Sequence, residues 1–170
     1  MEAKELNTTD TVPQKYRHLT DAVLNRPPVL FRSFTREDLS GFFDSGVPVE
    51  YVMLEEIKPN GLPESEVTGY LVLEGMIEVR RNGFVIEEFR PGDFIGESFL
   101  HVRNMHRCEL RAQMSSVVLM FNRAPVLEFF RNRPEKLLRI FTLNVIESQH
   151  RHIYNLYLRI AECAKQREEK

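Results

Sequence analysis

The residues best suited to chemistry in this sequence are a short glycine-rich run and an arginine that follows it. The run reads Gly92-Asp93-Phe94-Ile95-Gly96-Glu97, and the arginine is Arg107. Glycine adopts backbone angles that other residues avoid, and it lets the main chain approach a ligand closely. Arginine presents a planar, charged fork that pairs with phosphate or carboxylate. These residue types at this spacing indicate a site that holds a small anion.

The elements that must position this run are short antiparallel strands. Apolar segments on either side of it are interrupted at Gly75 and at Asn82-Gly83. Asn-Gly favours a type I′ turn, whose twist matches that of the strands it joins. Upstream, apolar residues at alternate positions from Val47 to Ile57 predict a half-buried strand. In total about six to eight short strands are expected, which is enough for a small barrel.

The glycine-rich run, the hairpin glycines before it and Arg107 resemble the cyclic nucleotide-binding domain of Crp/Fnr-type bacterial transcription regulators. The resemblance covers roughly residues 32–165. It implies an α+β fold, in which a double-stranded β-helix (jelly-roll) barrel carries N-terminal helices and a long C-terminal dimerisation helix. The implied division is an N-terminal tail and helix over 1–31, a cyclic nucleotide-binding-like barrel with short flanking helices over 32–132, and the dimerisation helix over 133–170.

The resemblance also implies a role for each residue of the site. It implies that Gly96 lets the backbone approach the effector, and that Glu97 accepts a hydrogen bond from a ribose 2′-hydroxyl. Arg107 would pair with the phosphate through its planar fork. Ser98 and Cys108, next to these residues, complete the predicted ligand-binding set.

The surroundings of the predicted site depart from the family pattern in two places. Phe99 stands where the family has small and apolar residues, and because it is bulky it is expected to fill space near the phosphate. Glu109 follows two residues after the arginine and is expected to set a negative charge beside the effector. The apolar wall is expected from Met76, Val85 and Leu100. These departures leave the identity of the effector undetermined: it is either a cyclic nucleotide or a different small molecule.

Histidines offer a second interpretation, in which the cofactor is haem. His101, Met105 and His106 form a possible soft-ligand cluster after the glycine-rich run, and a haem-based gas sensor is a known variation on this architecture. His150 and His152 lie on the predicted long helix, about 200° apart around its axis, so they cannot chelate one metal from a single helix. One of them is free to face a haem or a partner chain. The cofactor is left undetermined, with a cyclic nucleotide preferred over haem.

The C-terminal segment predicts a long helix that joins two copies of the chain. From Pro134 towards Lys170 it contains no glycine and no further proline, which predicts a rod of roughly 50 Å. Its proximal apolar residues are expected to pack on the barrel. In the distal half, isoleucines recur every seven residues, which is typical of a coiled-coil seam. The predicted interface of a parallel homodimer comprises Ile146, Ile153, Leu156, Tyr157 and Ile160.

Composition excludes several classes of function. The 170 residues, 42% of them hydrophobic, can bury one core, and a net charge of -2 does not fit a protein that coats nucleic acid. The N-terminus is too polar for a signal peptide and no apolar run can span a bilayer, so we expect a cytoplasmic protein without membrane contact. Cys108 and Cys163 cannot supply the four thiolates of an iron–sulfur cluster. No nucleophile and base stand at a catalytic spacing, so we expect no enzymatic activity.

Together these observations predict the effector-sensing and dimerisation region of a Crp/Fnr-type regulator. A small anionic, cyclic nucleotide-like effector binds in the barrel, and the long helix signals to a DNA-binding domain absent from this chain. The uncapped charged run Lys165–Lys170 favours the sensor portion of a longer regulator. The alternatives are a stand-alone cyclic nucleotide-binding module that regulates a partner protein, or a haem-based gas sensor on the same fold.

Overall fold

The computed structural model describes residues 13–57, 68–96, 99–100 and 109–168. Within them, two antiparallel sheets face each other, and helices cover the outer side of the first sheet. The helices are α1 Arg17–Asn25, α2 Arg36–Phe43, α3 Arg123–Arg131 and α4 Glu135–Glu168, with short 3-10 helices at Gln14–Tyr16 and Val29–Phe31. The strands are β1 Gly46–Tyr51, β2 Thr68–Glu74, β3 Ile77–Arg81, β4 Phe84–Phe89, β5 Phe94–Ile95, β6 Glu109–Ala112 and β7 Ser116–Asn122.

The register of the first sheet produces two separate cores. This sheet has the order β1-β7-β2-β5, and the second sheet has the order β4-β3-β6. On β2, Leu71 pairs with Leu119 of β7, and the next residue, Val72, pairs with Val118. Successive side chains on a strand point to opposite faces. Leu71 therefore enters the core under the helices (the helix-side core), and Val72 enters the core between the sheets (the inter-sheet core).

Phenylalanine dominates the helix-side core. Phe42 of α2 is fully buried, and its ring lies 4.9 Å from that of Phe121 on β7 and 5.7 Å from that of Phe141 on α4. Rings at these distances gain from edge and offset contacts in addition to burial. Leu137 and Val145, one turn before and after Phe141, are also buried. The prediction that the proximal part of the long helix packs on its own barrel is confirmed.

Local sequence signals account for where the short helices begin. The Thr35 hydroxyl accepts a hydrogen bond from the Asp38 amide at 3.0 Å, so Thr35 is the N-cap of α2. α3 begins at Arg123, two residues before Pro125. Proline fits at this later position because amides of the first turn have no partner within the helix.

The first strand is shorter than the apolar alternation predicted. β1 ends at Tyr51, and Met53, which follows the same alternation, is 63% exposed. The chain turns at Leu54, which has φ +69, an angle that residues with a Cβ seldom adopt. After this turn the Ile57 amide donates to the Leu110 carbonyl at 2.8 Å, and Ile57 is buried. A turn beside the second sheet therefore interrupts the predicted single strand.

Candidate effector site

The turn between β2 and β3 needs glycine for two separate reasons. Gly75 has φ +86, which favours a residue without a Cβ. A Cβ placed on Gly75 would also lie 2.6 Å from the Ser115 carbonyl oxygen. Ser116 holds the turn, because its hydroxyl accepts from the Met76 amide at 3.2 Å and donates to the Met114 carbonyl at 2.8 Å. The predicted turn at Gly75 is confirmed, but it is not a hairpin, because β2 lies in the first sheet and β3 in the second.

Gly75→Ala is expected to destabilise the domain more than Gly83→Ala. Both glycines have positive φ, +86 and +81, so each alanine loses about 1–2 kcal/mol to backbone strain. A Cβ on Gly83 meets no atom within 4 Å, whereas a Cβ on Gly75 collides with the start of β7 and loses about 1–3 kcal/mol more. Urea unfolding followed by circular dichroism measures both losses. Equal losses in the two variants would contradict the steric argument.

The glycine-rich run begins in the turn before β5, contains β5, and is held against β2 by main-chain hydrogen bonds. The Gly92 amide donates to the Val72 carbonyl at 2.9 Å, and the Val72 amide donates to the Asp93 carbonyl at 3.0 Å. The Asp93 carboxylate accepts from the Arg90 amide at 2.8 Å and closes the turn. Gly92 has φ +94, and Gly96, which is buried, has φ +80. Both positions therefore need glycine, Gly92 for the turn before β5 and Gly96 for the bend after it.

Gly96 is the member of the predicted ligand-binding set that lies in the described part of the chain. Its carbonyl accepts a hydrogen bond from the Phe99 amide at 2.9 Å, so the chain bends sharply there. The other members lie outside the described residues and stay predictions: Glu97, Ser98, Arg107 and Cys108. The same holds for the suggested haem ligands His101, Met105 and His106.

Three residues near the run lie elsewhere than expected. Phe99 is fully buried, and its ring lies 6.0 Å from that of Phe94 in the helix-side core, not between the sheets. Leu100 belongs to the same core, and Val85 is 43% exposed. The prediction that Leu100 and Val85 line the effector space was wrong. Met76, the third predicted wall residue, is half-buried at the β2–β3 turn.

The space between the sheets is walled by apolar side chains from both of them. The buried members of this inter-sheet core are Tyr51, Ile57, Tyr70, Val72, Ile77, Phe89, Ile95, Ala112, Val118 and Met120. The Tyr51 hydroxyl is buried and has no hydrogen-bond partner among the described residues. Burial, with smaller contributions from Tyr70 and Glu55, raises the pKa of Tyr51 to about 12. Tyr51 therefore stays neutral, and its hydroxyl is a hydrogen-bond donor within this largely apolar core.

The long helix α4 meets the second sheet at His152. The imidazole Nε2 lies 2.6 Å from Oε2 of Glu87 on β4, and the ring stacks on Phe89 at a centroid distance of 6.5 Å. His150 is exposed, so the prediction that the two histidines point to different sides of the helix is confirmed. Sequence patterns missed this contact because 65 positions separate Glu87 from His152.

A cavity of about 410 Å³ opens beside this contact, between Pro27–Leu30, β4, Gly92–Phe94 and α4. The charged residues of its lining are Glu87, Glu88 and Asp93, and neither lysine nor arginine belongs to the described lining. Carboxylates repel an anion at close range. This cavity is therefore not the predicted phosphate site, which the sequence places at the glycine-rich run and Arg107.

The distal half of α4 exposes an apolar stripe. Every residue of the predicted dimer interface is exposed: Ile146 60%, Ile153 50%, Leu156 42%, Tyr157 67% and Ile160 64%. Leu143, which the sequence analysis missed, is 64% exposed and continues the same seven-residue repeat three positions before Ile146. Contiguous exposed apolar surface marks an interaction site. Over the described ranges, the model contains no helix with the length and apolar character needed to cross a membrane.

Comparison with known proteins supports this architecture. Residues 63–133 match the family model of the cyclic nucleotide-binding domain. The fold is similar to the N-terminal domain of a transcriptional regulator from Streptomyces coelicolor A3(2), with TM-score 0.64 and 19% identity over 79% of this chain and 94% of that chain. It is also similar to the Thermus thermophilus catabolite activator protein, with TM-score 0.63 and 18% identity over 81% of this chain and 63% of that chain.

A third similar structure is a cyclic nucleotide-binding domain from Methylobacillus flagellatus KT, with TM-score 0.64 and 19% identity over 85% of this chain and 83% of that chain. A search of curated protein sequences gave no match. The fold and the family match together indicate the β-roll architecture of the cyclic nucleotide-binding domain. Residues 63–133 are similar to the cyclic nucleotide-binding domain, and the fold is shared with bacterial transcription regulators, as the resemblance implied. The predicted α+β jelly-roll with a long C-terminal helix is confirmed.

Proposed function

We propose that this chain is the effector-sensing and dimerisation region of a Crp/Fnr-type transcription regulator. A small anionic effector of the cyclic nucleotide type binds in the barrel, and α4 passes the signal to a second copy of the chain and to a DNA-binding domain outside this sequence. In this proposal the protein is cytoplasmic and catalyses no reaction. The observation that carries the proposal is the family match over residues 63–133, on a fold shared with the N-terminal domain of a transcriptional regulator.

Effector binding is supported by the way the glycine-rich run leaves the sheet. Gly96 is buried with φ +80, so the main chain bends where a bulkier residue would be strained. A bend of this kind lets backbone amides approach an anion. In the proposed site, Arg107 adds the positive charge that pairs with the phosphate, and the Glu97 carboxylate accepts a hydrogen bond from the ribose 2′-hydroxyl. The Tyr51 hydroxyl, buried and unpaired among the described residues, is a further polar group of the same interior.

Dimerisation is supported by the two different halves of α4. The proximal half is buried against the barrel, while the distal half exposes a heptad stripe from Leu143 to Ile160. A second copy of the same stripe, packed in parallel, would bury these side chains. In such a dimer an effector alters α4 only if it binds one arrangement of the helices more tightly than the other. The proposal therefore requires that effector affinity and helix packing change together.

Calorimetric titration with cyclic AMP and cyclic GMP tests the effector class. We expect one of them to bind with a dissociation constant on the order of micromolar. The matched control ligand is 5′-AMP, which keeps the base and ribose but carries a phosphate monoester that is not closed onto the sugar, and it should bind at least about tenfold more weakly. Absence of binding for both cyclic nucleotides would show that this effector class is wrong.

A further inference from the structure

Among the residues that the structure describes, the contacts of α4 with the rest of the molecule end at His152. The Asn144 amide donates to the carbonyls of Leu30 and Arg32 at 3.0 and 2.8 Å, and Glu147 forms a two-point ion pair with Arg32 at 2.9 and 3.0 Å. His152 then contacts Glu87. Every side chain that the structure describes beyond it, at positions 153–158 and 160–162, is exposed. His152 is therefore the last described point at which α4 is held to the barrel.

This contact reaches the inner face of the second sheet. Glu87 on β4 lies opposite Val79 on β3, and Val79 packs against the inter-sheet core. Residues directly opposite each other in an antiparallel pair share one face of the sheet. Phe89, two residues along β4, belongs to the inter-sheet core and carries the ring that stacks on His152. His152, the last described contact of α4, thus packs against residues on the inner face of the second sheet.

We propose that His152 and Glu87 form a proton-dependent clasp that sets how firmly the distal half of α4 is held to the barrel. The clasp goes beyond the proposed function, because it makes the long helix responsive to pH whether or not an effector is bound. Of the two partners, His152 is the group that changes charge near neutral pH. The clasp is an ion pair with a charge-assisted hydrogen bond when the imidazole is protonated, and a weaker neutral contact when it is not.

The surroundings of His152 favour its protonated form. Among the described residues, β4 presents Glu87 and Glu88, the following turn presents Asp93 and also Arg90, which lies 3.9 Å from Glu88, and Pro27–Leu30 carries no charge. On α4 itself the nearest charged groups, Glu147 and Arg151, pair with each other at 2.6 Å. A histidine beside carboxylates gains stability when it is charged. The clasp is therefore strong while the imidazole is protonated and the Glu87 carboxylate is ionised, and it weakens as the pH rises and the imidazole loses its proton.

Hydrogen exchange of the distal α4 amides, residues 153–162, tests the clasp in the full chain at pH 5.5 and pH 8.0, after correction for the intrinsic pH dependence of exchange. In the wild type, protection should fall about tenfold from the lower to the higher pH, since loss of a charge-assisted hydrogen bond has an effect of this order. His152→Gln and Glu87→Gln should show the low protection at both pH values. Two variants are used because one of them can perturb folding.

The matched control is Arg151→Gln, which removes the neighbouring Glu147 pair on the same helix and should keep the pH dependence. The experiment is repeated in an Ile153→Asp background. This variant removes the protection from exchange that dimerisation itself gives to α4. Failure of the proposed dimer is thereby distinguished from failure of the clasp. Absence of cyclic nucleotide binding has no bearing on the result. A pH dependence that persists unchanged in His152→Gln and Glu87→Gln, or that is absent from the wild type, would overturn the proposal.

Discussion

Ile153→Asp is expected to convert the protein from a dimer to a monomer in sedimentation equilibrium, so that the apparent mass falls by half. Ile153 is 50% exposed in the single chain and occupies the centre of the stripe on α4. In a parallel pair of helices the two copies of this residue face each other across the seam. Two aspartates there would lose hydration and repel each other, which costs several kcal/mol per buried charge. That cost exceeds the gain from the remaining apolar contacts.

Asn155→Asp is the matched control for this result. It adds the same charge to the same turn of α4, but residue 155 lies about 200° from residue 153 around the helix axis. Asn155 is exposed, and the proposed seam leaves it in water. This variant should therefore remain dimeric, with the circular dichroism spectrum of the wild type. Equal apparent masses for the wild type and both variants would contradict the proposed dimer seam.

The turns of this fold could be predicted from sequence because their signals are local. Gly75, Asn82 and Gly83 all adopt positive φ, at +86, +51 and +81. Glycine and asparagine tolerate this region better than other residues, so a few neighbouring residues were enough to locate the turns. The cap at Thr35 was predictable for the same reason, since it involves an amide only three residues away.

The wall of the barrel interior could not be predicted, because it depends on strand register. The pairing of β3 with β4 shifts between Val79 and Arg80, so that Val79 lies opposite Glu87 and Arg80 lies opposite Val85. A shift of one residue moves a side chain to the other face of a sheet. Val85 is consequently exposed, and Glu87 instead shares the inner face with Val79. A search for alternating apolar residues gives no sign of such a bulge.

Contacts between segments that are distant in sequence could not be predicted either. The sequence analysis identified the apolar stripe on α4 because a seven-residue repeat is visible in one segment. It left open what His152 faces, because the answer depends on how α4 crosses the second sheet. The structure brings His152 to Glu87 and Phe89 at that crossing. The packing of Phe99 into the helix-side core was missed for the same reason, since its position depends on the bend at Gly96.

Arg107→Ala is expected to weaken binding of the cyclic nucleotide about 10- to 100-fold in calorimetric titration. A hydrogen bond to a charged group contributes about 1.5–3 kcal/mol, and 1.4 kcal/mol corresponds to a factor of ten in affinity. Arg103→Ala is the matched control, because it removes an arginine four residues earlier in the same segment. It should change the dissociation constant less than about twofold. Equal losses in both variants would mean that the site responds to general positive charge, and no loss in Arg107→Ala would show that the phosphate partner was assigned wrongly.

Arg107→Lys separates the charge of this residue from its shape. Lysine keeps the positive charge but lacks the planar fork that contacts two phosphate oxygens at once. If the pairing is bidentate, Arg107→Lys should lose most of the affinity that Arg107→Ala loses. If lysine restores the wild-type affinity, the interaction is a simple point charge, and the main-chain amides after Gly96 must then supply the orientation of the phosphate. In that case it is Gly96→Ala, strained at φ +80, that should remove binding while Arg107→Lys keeps it.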